Sequence, residues 1–241
     1  MSDPIDHLKK LAKGLLRKAK ASEPEACGRI RAIYSDGRDV PDAAIAEHFT
    51  LGRAQHVVAV EHGFASWDAA IKSDSMRVYL AITMFKHPDL SDFGIGVYDR
   101  GKTREEREAH HQGNRAALAA SAERVGHVVE WLKEHVAPIK TLNPRRSSYG
   151  IKHVVEKELG YITNGVFIAA GIIAGYPHEI RSDSPNVRFG MSEKSLKQIS
   201  KDHRDNKRPY AWRMPDWTDP GREPREALWP SFLKKAEAPT P

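Results

Sequence analysis

The sequence predicts a mainly α-helical protein with a small β-hairpin, winged-helix-like in its C-terminal half. Three observations predict it. Apolar residues recur at helical spacing through most of the chain. Ser or Thr stands where many of these runs begin, as helix caps require. One Asp183-Ser184-Pro185 turn separates two short extended segments, His178 to Ser182 and Asn186 to Gly190.

The elements follow in chain order. Leu8, Leu11, Ala12, Leu15, Leu16 and Ala19 form one apolar stripe, with Lys9, Lys10, Lys13, Arg17 and Lys20 mostly off it. Ser22 and Glu25 read as a capping box around Pro24 and start a second helix reaching Tyr34. Pro41 to His48 is a short helix. Thr50 caps another that stops at Gly63, and Ser66 caps a short helix carrying Trp67. Met76 to Phe85 reads as either a strand or a buried helix, and Phe93 to Tyr98 as a strand. Thr103 and Glu106 form a second capping box. The long helical stretch after it reaches Val136, with Gly113 and Gly126 as candidate breaks and Pro138 as its end. Ser147 or Ser148 caps a helix to Leu159, and Gly160 stops it. Thr163 caps an apolar helix ending at Gly175, and Ser192 to His203 is a last polar helix. Composition divides the chain into a helical module (1–75), a helical domain with a small β element (76–203) and a tail (204–241) rich in Pro and Trp.

The totals exclude several classes of function. Hydrophobic residues make up 40% and charged residues 29%, a globular balance. No apolar run approaches the roughly 20 residues of a membrane span, and the start of the chain has no leader pattern. The expected compartment is the cytoplasm, with no membrane partner. Cys27 is the only cysteine, so one chain can form neither a disulfide nor a Cys-based zinc site. Cys27 reads as a small packing residue. No phosphate-binding glycine loop, no Gly-x-Ser-x-Gly and no His-Glu-x-x-His occurs. Glu106 and His110 stand at i, i+4 and could share a metal with a distant ligand, but the segment Glu106 to His111 reads as a solvated face. No metal and no cofactor are expected.

Charge points the other way. Net charge is +6 and the pI about 9.3, a bias toward nucleic acid, phosphates or acidic partners. From His7 to Arg31 eight Lys or Arg face two Glu, a local charge of +6. Lys9, Lys13, Arg17 and Lys20 are therefore candidate phosphate contacts. A second group comes from a short internal echo. His56 to Phe64 (HVVAVEHGF) matches His153 to Tyr161 (HVVEKELGY), and Ser66 and Thr163 follow the glycines by three residues. This is the grammar of a helix-turn-helix, and equally of any helical hairpin. The helix after Gly160 is too apolar to enter a major groove. Contact would instead come from Arg145, Arg146, Lys152, Arg181 and Arg188 on its neighbours.

Two further clusters offer alternatives. Tyr149, Lys152, His153 and Glu156 share one helix side and could act as an acid–base group if they faced a pocket. Trp212, Trp217 and Trp229 suit a tail that grips a protein partner.

Two segments carry resemblances. Leu8-Lys9-x-x-Ala12-Lys13-x-Leu15-Leu16, Arg29-x-Arg31 and Ala54-Gln55-x-Val57-Val58-Ala59-x-Glu61-x-Gly63-Phe64-Ala65-Ser66-Trp67 lie within residues 1–72. This stretch resembles a small bacterial helical module found joined to ankyrin-repeat or glyoxalase-like proteins. The resemblance implies a fold and no chemistry. Ser147 to His153 with Tyr161 to Ala170 looks similar to uncharacterised plasmid and phage proteins, which implies a mobile-element setting. The expected function is a non-enzymatic nucleic-acid-binding protein with a regulatory role. The alternatives are a protein-binding module or inhibitor of a host protein, and an enzyme using the Tyr149 cluster.

Overall fold

The computed structural model describes residues 3–34, 40–97 and 103–205. Within them the protein is mainly helical, with two small antiparallel strand pairs. The elements are α1 (Pro4–Lys20), α2 (Pro24–Ile33), α3 (Asp42–His48), α4 (Leu51–Glu61), α5 (Trp67–Lys72), α6 (Ser75–Lys86), β1 (Leu90–Ser91), β2 (Gly94–Ile95), α7 (Arg104–Ala120) and α8 (Ala122–His135). After these come α9 (Ser148–Leu159), α10 (Asn164–Ile173), β3 (His178–Ile180), β4 (Val187–Phe189) and α11 (Glu193–Asp205).

The first hydrophobic cluster is built on α1. Leu8, Ala12, Leu15 and Ala19 repeat at intervals of four, three and four and are buried against α4. Ala54, Val57, Val58 and Ala59 supply the opposing face. Alanine on both sides lets the two helices approach closely. Thr50 and Ser66 cap α4 and α5 through their side chains, as predicted. Gly63 takes φ +79° and ends α4 in a Schellman turn, with Phe64 N–H donating to Ala59 O at 2.9 Å. The box predicted at Ser22 does not form. Ser22 itself sits at φ +54° and terminates α1, while Glu23 N–H donates to Lys18 O at 3.1 Å. With Ser22 spent on ending one helix, Glu23 becomes the N-cap of the next without a side-chain bond.

Helix α6, left open between strand and helix by the sequence, is the wall between two cores. Val78 and Ile82 pack into the first cluster. Leu80 and Met84 pack into the second. The two pairs stand about 200° apart on the helix, so opposite faces are buried.

The second cluster centres on α10. Asn164 to Gly171 are all buried, and α10 packs on α6, α8, α9 and both strand pairs. The Tyr176 hydroxyl reaches the carbonyls of Leu132 and Val136 at 2.8 and 2.6 Å, closing the end of α8. Burial pushes its pKa up to about 12. Arg115 of α7 donates to the carbonyls of Met84 and Leu90 at 3.2 and 2.8 Å and so ties α6 to β1.

Three predictions of local structure need correction. Of the strand expected over Phe93 to Tyr98, the described residues up to Val97 keep Gly94–Ile95, paired with Leu90–Ser91, and Tyr98 lies outside the described residues. Ile95 N–H instead donates to Pro185 O at 3.0 Å, in the other hairpin's turn. The long helix runs through Gly113 and Gly126 and breaks at Ser121, whose hydroxyl donates to Ala117 O at 2.9 Å. Ser147, one of the two expected caps, is the N-cap of α9 but makes no side-chain bond there, and Ser148 is buried. The predicted hairpin is present as β3 and β4, with Glu179 opposite Arg188.

A buried polar knot joins these pieces. Asn164 Oδ1 accepts from the Ser148 hydroxyl at 2.9 Å. Its Nδ2 donates to Pro185 O and Asn186 Oδ1, both at 3.1 Å. Ser148 Oγ accepts from Val187 N–H at 3.1 Å. The Thr163 hydroxyl donates to Asp92 Oδ1 at 2.6 Å, and Gly165 N–H to Asp92 O at 2.9 Å. Desolvation raises the Asp92 pKa, and the Thr163 bond opposes that shift.

Gly165 tests how tightly this knot closes. A Cβ there would lie 2.0 Å from Ser91 O and 2.7 Å from Asp92 Cα, both backbone atoms. Gly165→Ala should cost about 2–4 kcal/mol in urea unfolding. Gly150→Ala, where a Cβ meets nothing within 4 Å, should be neutral or stabilising by under about 1 kcal/mol. Equal midpoints for the two variants would refute the close approach.

Candidate functional site

Helix α11 is amphipathic. Leu196 and His203 are buried and Ile199 is half-buried against the rest of the fold. Lys194, Lys197, Lys201 and Arg204 fall at i, i+3, i+7 and i+10, a single exposed stripe. The helix packs on α9, and the His203 ring faces the Glu158 carboxylate at 3.5 Å. Between the two helices lies an open cleft of about 750 Å³. Its lining includes Lys157 of α9, the four cations of the α11 stripe, Gln198 and Ser200.

One end of the cleft is fixed by an ion pair. The Arg146 guanidinium donates to both oxygens of Glu193, at 2.9 to 3.2 Å. Buried Asn143 donates to the same carboxylate at 3.1 Å and to Met191 O at 3.1 Å. These bonds, Arg146 first, hold the Glu193 pKa below the ordinary value, against the desolvation that raises it. Glu193 is thus already neutralised. Among the described residues no carboxylate lies within 4 Å of Lys157, Lys194, Lys197, Lys201 or Arg204. Five cations therefore face an open, polar cleft whose one carboxylate, Glu193, is held by Arg146 and also feels the charge of Lys197. An apolar ligand pocket is lined in the opposite way.

The cations expected from the sequence are distributed differently. Lys9, Lys13, Arg17 and Lys20 are exposed on α1. Lys9 pairs with Asp6 at 2.9 Å, and Lys20 donates to Glu47 O at 3.1 Å. Elsewhere in that basic segment Arg29 makes a bidentate pair with Glu61 at 2.8 and 2.7 Å, and Arg31 pairs with Asp42. Glu61 and Asp42, distant in sequence, and the neighbouring Asp6 offset three of the cations of residues 7–31, while Lys10, Lys13 and Arg17 have no carboxylate within 4 Å among the described residues. Arg145 is exposed, and Arg146 alone of the expected cations lines the cleft. Arg181 is exposed and bound to Asp183 at 2.8 Å, and Arg188 is exposed opposite Glu179. Lys152 is not a surface cation: it is 4% exposed and pairs with Glu156. Trp212, Trp217 and Trp229 lie outside the described residues. The cleft's own Lys157, Lys194, Lys197, Lys201 and Arg204 were not singled out, although the 3-4-3 spacing on α11 was readable.

The Tyr149 cluster is compact but does not enclose a substrate space. Glu156 is its hub, accepting from Lys152, from His153 at 2.6 Å and from Ile162 N–H at 3.3 Å. The Tyr149 ring meets His153 edge-on at 4.5 Å between centroids. Tyr149 is 53% exposed, and the His153 side chain 49% exposed. Both face solvent, so the acid–base reading lacks the pocket it requires. Glu106 accepts from Thr103 N–H at 2.7 Å within the predicted capping box. No group of three or more metal-ligating side chains occurs among the described residues. No helix among them is long and apolar enough to cross a membrane. No family model, curated protein or solved structure matches the chain.

The Arg146–Glu193 pair gives a signed pH dependence. A carboxylate with a lowered folded-state pKa stabilises fully above its unfolded value of 4.5, and that stability is lost as pH falls through the lower folded value. Glu193→Gln should lower urea stability by about 1–3 kcal/mol at neutral pH. The gap to wild type should close as pH drops below 4.5. A gap constant down to pH 3 (about one unit below an ordinary glutamate) would contradict the ionised pair.

Proposed function

We propose that this chain is a non-enzymatic nucleic-acid-binding protein whose contact surface is the cleft between α9 and α11. The observation that carries the proposal is the convergence of five cations, none with a carboxylate within 4 Å among the described residues, on one open, polar cleft. Elsewhere Lys9, Arg29, Arg31, Arg115 and Arg181 are bound to carboxylates or backbone carbonyls. The α11 stripe runs for about 15 Å. A nucleic-acid strand carries a charge about every 3.4 Å in B-form, so the stripe suits a run of phosphates better than one small anion. Residues 206–241 carry seven Lys or Arg and five Asp or Glu, a net positive balance. The solvent-facing Tyr149 and His153 favour a binder over a catalyst. The likeness of residues 147–170 to plasmid and phage proteins makes a regulator in a mobile element the setting we propose.

Fluorescence anisotropy with labelled nucleic acid, titrated across salt, tests this. Wild type should bind near physiological ionic strength. The triple charge reversal Lys194→Glu, Lys197→Glu and Lys201→Glu should lower affinity by at least about tenfold and flatten the salt slope by roughly two to three. The same change at Lys9, Lys13 and Arg17 should do less. No binding by wild type, or a larger loss from the α1 variant, would overturn the assignment.

A further inference from the structure

Two histidines of the N-terminal bundle are placed to answer to protons. His62 ends α4 and is 6% exposed. Its Nδ1 lies 2.7 Å from Val58 O. A carbonyl oxygen only accepts, so Nδ1 carries the hydrogen and Nε2 the lone pair. That Nε2 is buried and has no hydrogen-bond partner among the described residues. The ring stacks on Phe85 of α6, with 4.3 Å between centroids and 25° between planes. His7, on α1, also holds a buried Nε2 without a partner among the described residues. Helix α1 packs on both α4 and α6, and His62 feels the charge of His7.

Most charged groups around the two rings oppose a second proton. Lys10 of α1 and Lys86 of α6 act on His7. His7 itself and Arg29 of α2 act on His62. Glu61 of α4 favours a charged His62, but the Arg29 guanidinium already holds both its oxygens, at 2.8 and 2.7 Å. Asp6, next to His7 in sequence, pairs with Lys9 at 2.9 Å. Desolvation above all, and Lys86 and Lys10 after it, hold the His7 imidazole below its ordinary value of 6.5. Desolvation lowers His62 in the same way, and the Val58 bond and Glu61 do not reverse it. A proton added to either Nε2 buries an N–H and a charge with no acceptor at hand.

We infer that His7 and His62 form a proton-operated latch, which holds α1 and α4 to the end of α6 while both rings are neutral and releases α1 on acidification. The latch is independent of the cleft between α9 and α11. Its sign follows from linkage. A histidine lowered in the folded state keeps its full contribution above the unfolded value of 6.5 and loses it as pH falls from there toward the folded value. One unit below 6.5, each ring held wholly neutral costs the closed state about tenfold in population. Release uncovers Leu8, Ala12 and Leu15 on the buried face of α1.

Amide hydrogen exchange of the full chain, corrected for its intrinsic pH dependence, is compared at about pH 7.5 and about pH 5.5, on either side of the ordinary imidazole value. Protection of α1 and α4 should fall at least about fivefold more than that of α10. His7→Gln with His62→Asn should remove this excess, since the asparagine amide can still donate to Val58 O but neither new side chain titrates. NMR titration of the imidazole C–H signals of wild type should place both rings below 6.5, a readout that needs no variant to fold. Equal changes in α1 and α10 overturn the latch. So does an undiminished excess in the folded double variant, or titration of either wild-type ring at or above 6.5.

Discussion

The side-chain amide of Asn164 is the constraint around which the C-terminal half is arranged. Helix α10 is apolar on nearly every side and lies in the interior, so its first turn cannot turn to water for hydrogen bonds. The chain solves this with pieces from elsewhere. Thr163 caps Val166 N–H, Asp92 O takes Gly165 N–H, and Asn164 reaches across to the β3–β4 turn. Ser148 links the same amide to the start of α9 and to β4. An amide buried without these partners would cost several kcal/mol. The knot therefore sets where α9 begins, and hence where Tyr149, Lys152 and Lys157 stand relative to α11.

Much of the local architecture was legible in the residues. The caps Thr50, Ser66, Thr103 and Thr163 each bond where a cap should. Gly63 and Gly160 both take positive φ, and the Asp183-Ser184-Pro185 turn lies between β3 and β4. The failures share a cause. Ser22 was open to two roles, ending α1 or starting α2, and local pattern does not rank them. The apolar Phe93 to Val97 run has strand composition, but its backbone partners include Pro185, some ninety residues away. Only tertiary structure supplies that partner.

The site was far less legible, because charge counts ignore pairing. Arg29, Arg31 and Arg146 find their carboxylates 32, 11 and 47 residues away. Lys152 looked like a surface cation and is the buried anchor of an aromatic pair. What sets the α11 stripe apart is that four cations on it and Lys157 share one cleft, with no carboxylate within 4 Å of them among the described residues. The stripe's spacing is a property of the sequence. Its convergence with Lys157 on one cleft is a property of the fold.

Helix α6 has a consequence for how this chain can be divided. Its two buried faces serve different cores, with Val78 and Ile82 on one side and Leu80 and Met84 on the other. A cut at residue 75 strips the first core of two aliphatic side chains and leaves them bare on the remaining piece. The helix acts as a party wall, and neither dwelling stands watertight without it. The small N-terminal bundle is thus not freely exchangeable by recombination at the compositional border. A viable swap has to carry α6 along, together with a matching face for whichever neighbour it newly meets.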